Sequence, residues 1–465
     1  MLAAGLSENA VAYGQLPLSN PHGGISHYGY DTSNGGALTQ DAHEAFKTEP
    51  DKNVYLVFGG VHFLYQGHEG GPQGYVTRVN LDEKDPAKRV TLIADTRSDG
   101  QAVPTFDGIT WDPFTKQLLL TAESSAPKGG VFGVTLNASG DPVDGKLIPL
   151  PALGSGGYEG VQNDSAGNVW LVEDVGGAKS SGGKVPNSYV YRFTPTAPTD
   201  LSSGTLEALQ VSRKDGAPVT AQQLAANPSD PFITDLHTYG SSFSTRWVTV
   251  TPGTDNGATA AAAAAGATPF KRPENGVFRP GTKFGEFYFT ETGDTDKTST
   301  LPGSYGGVFR LSQSSPTAQT GTLAPVFVGD VQHTGLDNIA FQTADKLLVV
   351  EDAGDGLHAQ RDALDSGYVL DVSKKGGRAA APVRWLAEGR DASATYDHFT
   401  SPGYNDGDNE ITGIHVSNGD PSTAGILSAQ SPKLFTDGWR TFWTQQHGDN
   451  VTWELHRSGQ DNRQG

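Results

Sequence analysis

The sequence contains no cysteine, and its one methionine is residue 1. Disulfide bonds, thiolate metal ligands and cysteine nucleophiles are therefore excluded. Long apolar runs are also missing, since no stretch approaches the roughly 20 residues that a helix needs to span a bilayer. Basic residues are few: 33 Lys and Arg stand against 52 Asp and Glu, which gives a formal net charge of −19. This acidity argues against nonspecific binding to nucleic acid or to an anionic membrane, and it suits a protein that holds cations.

The residues that are abundant indicate turns and short strands. The 465 residues include 60 Gly and 28 Pro, and only 35% are apolar. Strands that alternate apolar and polar residues need fewer apolar residues than helices buried on all sides. Length alone would suggest about three domains, yet repeated β-architectures often form one long domain. The composition therefore favours a single all-β domain.

A pattern of acidic residues recurs every fifty to seventy residues. An acid opens a strand in FDGITWDP (106–113), YEGVQND (158–164), RPENGVF (272–278), LDNIAF (336–341) and NEITGIHV (409–416). A second acid ends the next strand in phrases such as LLLTAES (118–124), VWLVEDVGG (169–177), FYFTETGD (287–294) and LLVVEDAGD (347–355). The two acids are separated by about one β-hairpin. A third, aromatic strand such as GGVFRLS (306–312) completes each unit.

Units of this length and composition are typical of a β-propeller, and six third strands predict six blades. We expect the propeller to span residues 51–465, after an N-terminal extension (1–50) that could supply the strand closing the ring. Residues 198–268 are predicted to be an inserted loop region between blades 3 and 4. Within it, TAQQLAAN (220–227) favours a short helix, whereas the alanine run before Thr268 is short and flanked by Gly and is predicted to be a loop.

The inner strands of a propeller converge on one axis, so the recurring acids predict a channel lined by carboxylates. Such groups repel one another unless cations or protons intervene, and calcium prefers oxygen ligands. The alternative is that each acid caps a turn, but caps prefer Asp and Asn, and most of these positions are Glu. The candidate metal ligands are Glu159, Glu274, Asp337 and Glu410 from the opening phrases and Glu123, Glu173, Glu291 and Glu351 from the closing phrases.

The phrases RPENGVFRPGTKFGEFYFTET, LDNIAFQTADKLLVVEDAG, NEITGIHVS and FWTQQHGD resemble, in order and spacing, the motifs of the PhoX family of alkaline phosphatases. The resemblance implies an exported propeller that hydrolyses small phosphate esters with calcium and iron. It singles out Glu159, Glu274, Glu351 and Glu410 as leading metal ligands. Arg272 in KRPEN and His447 in QQHGD become candidates for contact with the phosphate.

One departure bears on the metal. Where the family has a Cys beside a Glu, the phrase LLLTAES has Ala122 before Glu123. Alanine cannot coordinate a metal, so we expect calcium and little or no iron. The resemblance also implies a periplasmic or secreted protein, although no signal peptide is recognisable in the sequence. We expect a monomer without a nucleic-acid or membrane partner.

Two other functions remain open at this stage, because propellers host many activities. One is a different calcium-dependent propeller hydrolase, such as a lactonase or a phosphotriesterase. The other is a non-catalytic binding module in which calcium only stabilises the channel. A structural ion needs three or four carboxylates. The sequence offers about twice that number, which favours catalysis.

Overall fold

The computed structural model describes residues 1–32, 48–180, 182–296, 298–352, 364–374, 379–388, 410–446 and 449–459. This part of the chain is built mainly of β-strands, with a few short helices. None of the described helices is long and apolar enough to cross a membrane.

Most strands pair antiparallel with the next strand along the chain. The strands of the first part of the chain are β1 (Leu6–Ala12), β2 (Pro17–His22), β3 (Ile25–His27), β4 (Tyr30–Asp31), β5 (Glu49–Phe58), β6 (Val61–Glu69), β7 (Val76–Asn80), β8 (Val90–Ala94), β9 (Thr96–Arg97), β10 (Ile109–Asp112), β11 (Gln117–Ala122), β12 (Gly130–Thr135), β13 (Lys146–Pro149), β14 (Tyr158–Asn163) and β15 (Val169–Glu173).

The later strands continue the pattern, interrupted by a short hairpin of two-residue strands. They are β16 (Lys179–Ser180), β17 (Gly183–Lys184), β18 (Val190–Ala197), β19 (Asp200–Val211), β20 (Phe243–Thr249), β21 (Gly276–Phe278), β22 (Glu286–Glu291), β23 (Gly307–Gln313), β24 (Thr320–Val328), β25 (Leu336–Thr343), β26 (Lys346–Glu351), β27 (Ser366–Asp371), β28 (Val383–Ala387), β29 (Glu410–Ser417), β30 (Arg440–Gln446) and β31 (Val451–Arg457).

The helices lie in connections between strands. They are α1 (Pro86–Arg89), α2 (Ala221–Ala226), α3 (Pro231–Leu236) and α4 (Ala258–Ala264), with single 3-10 turns at Pro151–Leu153 and Thr423–Gly425.

The strands form consecutive four-stranded groups, each of which is a twisted antiparallel sheet. The described groups are β5 to β8, β10 to β13, β14–β15–β18–β19, β21 to β24, β25 to β28, and β29 to β31 with β1. The first strand of each group contacts the first strands of the neighbouring groups, and β29 contacts β5. These strands therefore surround a common axis, as in a propeller. The all-β propeller predicted from the sequence is confirmed, and the arrangement is consistent with six blades.

The first and last parts of the chain share one sheet. Strand β1 pairs antiparallel with β31 from Leu6 opposite Arg457 to Ala12 opposite Thr452. The indole Nε1 of Trp443 on β30 donates a hydrogen bond of 3.2 Å to Glu8 of β1. The N-terminal strand thus completes the group that the C-terminal strands begin.

Apolar side chains fill the spaces between neighbouring groups. Between the third and fourth groups, Trp170 of β15 packs against Phe278 of β21 and Phe287 of β22, with ring centroids 5.0 Å apart. Trp247 of β20 contacts the same indole at 5.2 Å. Strand β20 also pairs with β19 and β24, so it joins the outer edges of these two groups. The interval 198–268 is thereby tied to the propeller.

The helix and the loop predicted within residues 198–268 had different outcomes. The helix predicted at TAQQLAAN is confirmed as α2, which begins with a capping box between Thr220 and Gln223. The loop predicted for the alanine run was wrong, because Ala258–Ala264 forms α4. Ala258 and Ala262 are fully buried in the apolar cluster of the third group. Tertiary packing stabilises a helix that is too short to form alone.

The backbones of the second and third groups come into close contact at Gly108, the residue after Asp107. A Cβ atom added at Gly108 would lie 2.2 Å from the carbonyl oxygen of Glu159 in the third group. The hydroxyl of Thr121 donates to the same carbonyl oxygen at 2.5 Å. Gly108 and Thr121 therefore fix the spacing of these two groups near the axis.

We expect Gly108→Ala to destabilise the fold by about 1–3 kcal/mol, because the added methyl group must displace the Glu159 backbone. The measurement is the melting temperature followed by circular dichroism. Gly176→Ala is the matched control, since a Cβ atom there meets nothing within 4 Å. Equal melting temperatures for the two variants would contradict this account.

Candidate metal centre

The acids of the opening phrases lie where the first strands of the groups begin. Asp107 and Glu274 precede β10 and β21, and Glu410 is the first residue of β29. Because the first strands surround one axis, their starts meet at the same end of the channel. Asp51 of β5 occupies the corresponding place in the first group, which lies before the five opening phrases.

Bulges in three of these strands reorient the acidic side chains. The register of β5, β14 and β25 with their partner strands shifts at Asp51, Glu159 and Asp337, respectively. A bulge changes the direction of a side chain that would otherwise alternate across the sheet. The same local irregularity thus recurs at an acid in three separate groups.

Seven carboxylates approach one another closely at this end of the channel, and we call them the carboxylate cluster. Their ligand oxygens form three sets, each within 4.8 Å. The sets are Asp51, Glu69 and Asp107; Asp107, Glu123 and Glu159; and Glu159, Glu274 and Asp337. Because Asp107 and Glu159 each belong to two sets, the cluster is continuous.

Burial and mutual repulsion raise the pKa values of these carboxyl groups. Burial raises the pKa of Asp337 to about 6. The pKa of Asp51 and that of Glu159 lie well above the usual range because of burial and then neighbouring acids. The side chain of Glu123 is partly exposed to solvent. Loss of hydration, followed by the negative charge of Asp174, raises the pKa of Glu123 to about 9. Without a cation, the cluster would hold protons at neutral pH.

Glu410 lies beside the cluster, although it belongs to none of the three sets. Its side chain is half-buried. Burial, followed by the charges of Asp352 and Glu69, raises the pKa of Glu410 well above the usual range. The sixth group therefore also places an acid within electrostatic reach of the cluster.

A buried lysine adjoins the cluster. The ammonium group of Lys52, in the β5 bulge, donates a hydrogen bond to Asn275 Oδ1. Burial lowers the pKa of Lys52, while the charges of Asp51, Asp337 and Glu159 act to raise it. Lys52 was not singled out from the sequence.

Arg272 is the cation at the more accessible side of the cluster. Its guanidinium group binds Asp174 through Nη2 at 2.7 Å and Nε at 2.9 Å, and Nη2 lies 3.6 Å from Glu274 Oε1. Burial opposes its charge, but the neighbouring acids hold the pKa of Arg272 above its usual range. Its backbone φ of +57° is left-handed, a conformation that costs about 1–2 kcal/mol for a non-glycine residue. Strain of this kind is often found at functional sites.

Three closing acids, Glu351, Glu291 and Glu173, accept hydrogen bonds from backbone amides and belong to none of the three sets. Glu351 accepts hydrogen bonds of 3.0 Å from the amides of Thr334 and Ser366. Glu291 accepts from the amide of Lys271 at 2.9 Å and from His237 Nε2 at 2.8 Å.

Glu173 is held in a similar way. It accepts from the amide of Tyr189 at 3.1 Å and from the hydroxyl of Tyr191 at 2.9 Å. Burial raises the pKa of Glu173 to about 8. Of the closing acids named from the sequence, Glu123 belongs to the cluster, together with Glu69, the last residue of β6. His447 lies outside the described residues.

The donor chemistry of the cluster fits a hard divalent cation. Each of the three sets offers three carboxylate oxygens within the span of one ion, and Ca²⁺ prefers oxygen ligands. The buried Oδ1 atom of Asn338, next to Asp337, makes no hydrogen bond with the described residues. Ala122, where the resembled family has a Cys, is buried in the apolar cluster between the first two groups. All the candidate ligand atoms in the three sets are therefore carboxylate oxygens.

Solved structures with similar folds differ widely in sequence. The periplasmic gluconolactonase of Pseudomonas aeruginosa is 14% identical, over 97% of this chain and 98% of that chain, with a TM-score of 0.39. A gluconolactonase of Xanthomonas campestris is 10% identical, over 89% and 98% of the two chains, with a TM-score of 0.37. No curated protein sequence matches the chain.

The family comparison is more specific. A model of the family described as alkaline phosphatase PhoX matches residues 149–432, which is more than half of the chain. The matched interval includes Glu159, Arg272, Glu274 and Asp337. The resemblance noted in the sequence is thereby confirmed, and the chain belongs to the PhoX family of alkaline phosphatases.

Proposed function

We propose that the protein is a metal-dependent phosphatase that hydrolyses small phosphate esters at the carboxylate cluster. The observation that supports this most directly is the position of Arg272, whose guanidinium group lies 3.6 Å from Glu274 of the cluster. A site that combines hard-cation ligands with a guanidinium group suits a phosphate, because phosphate oxygens bind metal ions and arginine alike.

The residues of the cluster would hold the metal. Glu159 and Glu274 are the central candidates, since Glu159 belongs to two sets and Glu274 lies next to Arg272. We propose calcium as the main ion, because the candidate ligands are oxygens and Ala122 offers no thiolate. Divalent ions, when bound, supply positive charge that offsets the charge of the phosphate and activates water.

Arg272 would bind and orient the phosphate group. Its side chain is 21% exposed, so a substrate can reach it, and Asp174 holds the guanidinium plane in place. Thr295 accepts a hydrogen bond of 3.0 Å from Nη1. A guanidinium group held in this way loses little freedom when it binds two phosphate oxygens. Lys184 lines the same small pocket as Arg272, and burial followed by the charge of Arg272 lowers the pKa of Lys184.

We expect the purified protein to hydrolyse p-nitrophenyl phosphate and to lose this activity when its metal is removed with a chelator. Readdition of calcium should restore the activity. A lactone is the matching control substrate, because the sequence alone leaves a lactonase open. Hydrolysis of the lactone with no release of phosphate from any ester would refute the proposal.

The same metal-free protein should become less stable as the pH rises. The raised carboxyl pKa values mean that the fold binds more protons than the unfolded chain between about pH 4 and pH 9. The stability that these protonated carboxyl groups contribute is fully present below the ordinary carboxyl range. It is lost as the pH rises past the pKa of about 6 for Asp337 and of about 9 for Glu123. Calcium should raise the melting temperature more at pH 9 than at pH 5.

Two glutamate substitutions distinguish a metal ligand from a backbone acceptor. Glu274→Gln should lower kcat by at least about tenfold, because the amide loses the negative charge that a divalent cation requires. Glu173→Gln should leave kcat within about threefold, since an amide oxygen still accepts the bonds from Tyr189 and Tyr191. Steady-state kinetics at saturating calcium make the comparison. Similar losses in both variants would place Glu173 in the centre as well.

Substitutions at the rim test the phosphate contact. Arg272→Gln should lower kcat/KM by roughly 10- to 100-fold, since a hydrogen bond to a charged group contributes about 1.5–3 kcal/mol. Asp174→Asn should have a smaller effect, because the amide oxygen still accepts a hydrogen bond from the guanidinium group. A kcat/KM of Arg272→Gln within about threefold of that of the unmodified protein would show that Arg272 does not bind the phosphate.

A further inference from the structure

A second cavity lies between the first and sixth strand groups, where β1 completes the last sheet. Its volume is about 660 Å³, which is within the range of small-molecule sites in proteins. We call it the closure pocket. Besides β1, its walls contain Tyr55 of β5, His62 of β6, Arg89 of α1, Arg440 of β30, and Glu454 and His456 of β31.

The closure pocket is distinct from the carboxylate cluster. Strand β5 runs from Asp51 in the cluster to Tyr55 in the wall of the pocket. Four residues of extended strand span about 13 Å. His62 is 39% exposed, so the pocket opens to solvent. A molecule can therefore enter it without passing the metal centre.

Most charged groups of the pocket are paired within the protein. The guanidinium group of Arg440 donates to both carboxylate oxygens of Glu454, from Nε at 2.5 Å and from Nη2. His62 lies 3.0 Å from Asp82. Asp437, in the loop before β30, pairs with Lys433 at 2.9 Å. These pairs leave little negative charge for another cation.

Two basic side chains compete for the carboxylate that Arg440 already binds. His456 Nε2 lies 3.8 Å from Glu454 Oε2. The Nε atom of Arg89 is buried and makes no hydrogen bond within the described part of the chain. Burial, only partly offset by the charge of Glu454, lowers the pKa of Arg89. Because buried donors normally have a partner, the pocket lacks an acceptor beside Arg89.

The loop before β30 gives the pocket an apolar wall. Phe435 and Trp439 line the pocket. The backbone φ of Phe435 is +62° and that of Asp437 is +52°, a left-handed conformation that is unfavourable for residues other than glycine. Strained backbone of this kind often lies at ligand sites. The pocket thus places an apolar surface and an unpaired guanidinium group around one space.

We propose that the closure pocket binds a small organic anion. Its carboxylate or phosphate group accepts hydrogen bonds from Arg89, and its apolar part lies against Phe435 and Trp439. An oxyanion matches the planar set of donors that a guanidinium group presents. The ligand lies between β1, α1 and β31, so it also stabilises the closure of the ring.

The test compares two anions that share a phenyl ring. Benzoate carries a carboxylate, and phenylphosphonate carries an analogue of a phosphate group that is not an ester. Benzyl alcohol is the neutral control. Each compound is titrated into the calcium-loaded protein, and the dissociation constant and the melting temperature are measured. We expect at least one anion to bind and to raise the melting temperature, because it binds the folded state alone.

Substitution of Arg89 locates this binding. Arg89→Gln should fold, since it removes a donor without a protein partner, and should weaken binding of the anion at least about tenfold. Arg89→Lys keeps the charge but not the planar donors, so its affinity should be intermediate. Lys88→Gln is the matched control, because Lys88 is the neighbouring residue, is 70% exposed and pairs with Asp85. Its affinity should change by less than about twofold.

Phenylphosphonate has a second possible site at the metal centre. Arg272→Gln should weaken binding there and leave binding in the closure pocket unchanged. Hydrolysis of p-nitrophenyl phosphate by Arg89→Gln should stay within about twofold of that of the unmodified protein, since the two sites are separate.

The proposal is overturned if neither anion binds at millimolar concentration. It is also overturned if Arg89→Gln and Arg89→Lys both bind the anions as tightly as the unmodified protein in the Arg272→Gln background. Should Arg89→Gln fail to fold, the comparison with Arg89→Lys decides in the same way. If no phosphate ester is hydrolysed but binding depends on Arg89, the proposed function fails and the closure pocket stands.

Discussion

The main physical constraint on this structure is the repulsion among the carboxylates that the fold brings to one end of its channel. Like charges at such short range in a partly desolvated site cannot all remain ionised without compensation. The described residues allow three kinds of compensation for this negative charge. Protons are favoured by the raised pKa values, Lys52 supplies an internal ammonium group, and Arg272 supplies a guanidinium group at the rim. Divalent ions would be the fourth kind and would displace the protons.

The propeller achieves this crowding mainly with local strand pairing. Five of the six described strand groups form from strands that follow one another in the chain, and the sixth also needs β1. The acids gather because the groups pack in a ring, with apolar clusters such as that around Trp170 stabilising the junctions. Apolar side chains buried elsewhere in each group offset the unfavourable repulsion among the carboxylates. Stability and function therefore depend on different parts of the fold.

The sequence was sufficient to predict the fold class and the places where the first strands start, because a repeated acid and a repeated aromatic strand are periodic signals. It did not separate cluster members from backbone acceptors. Glu123 and Glu173 end comparable strands, yet Glu123 meets Asp107 and Glu159, while Glu173 receives hydrogen bonds from Tyr189 and Tyr191. Such differences depend on side-chain direction and on the loop that follows, and neither is encoded in spacing.

Asp51 and Lys52 were missed because the β5 bulge in which they lie leaves no signal in the spacing of acids along the chain. The helix α4 was missed because its stability comes from packing that no local propensity reports.

The pairing of β1 with β31 has a consequence for how the molecule is made. Residues 6–12 must remain without their partner strand until residues 451–457 have been synthesised, because the two segments lie at opposite ends of the chain. Until then, β1 presents an unpaired edge that could associate with other chains. A ribosome adding about 5–20 residues per second would leave that edge open for tens of seconds. Assembly of the last sheet therefore removes an exposed strand edge only after the chain has been synthesised as far as β31.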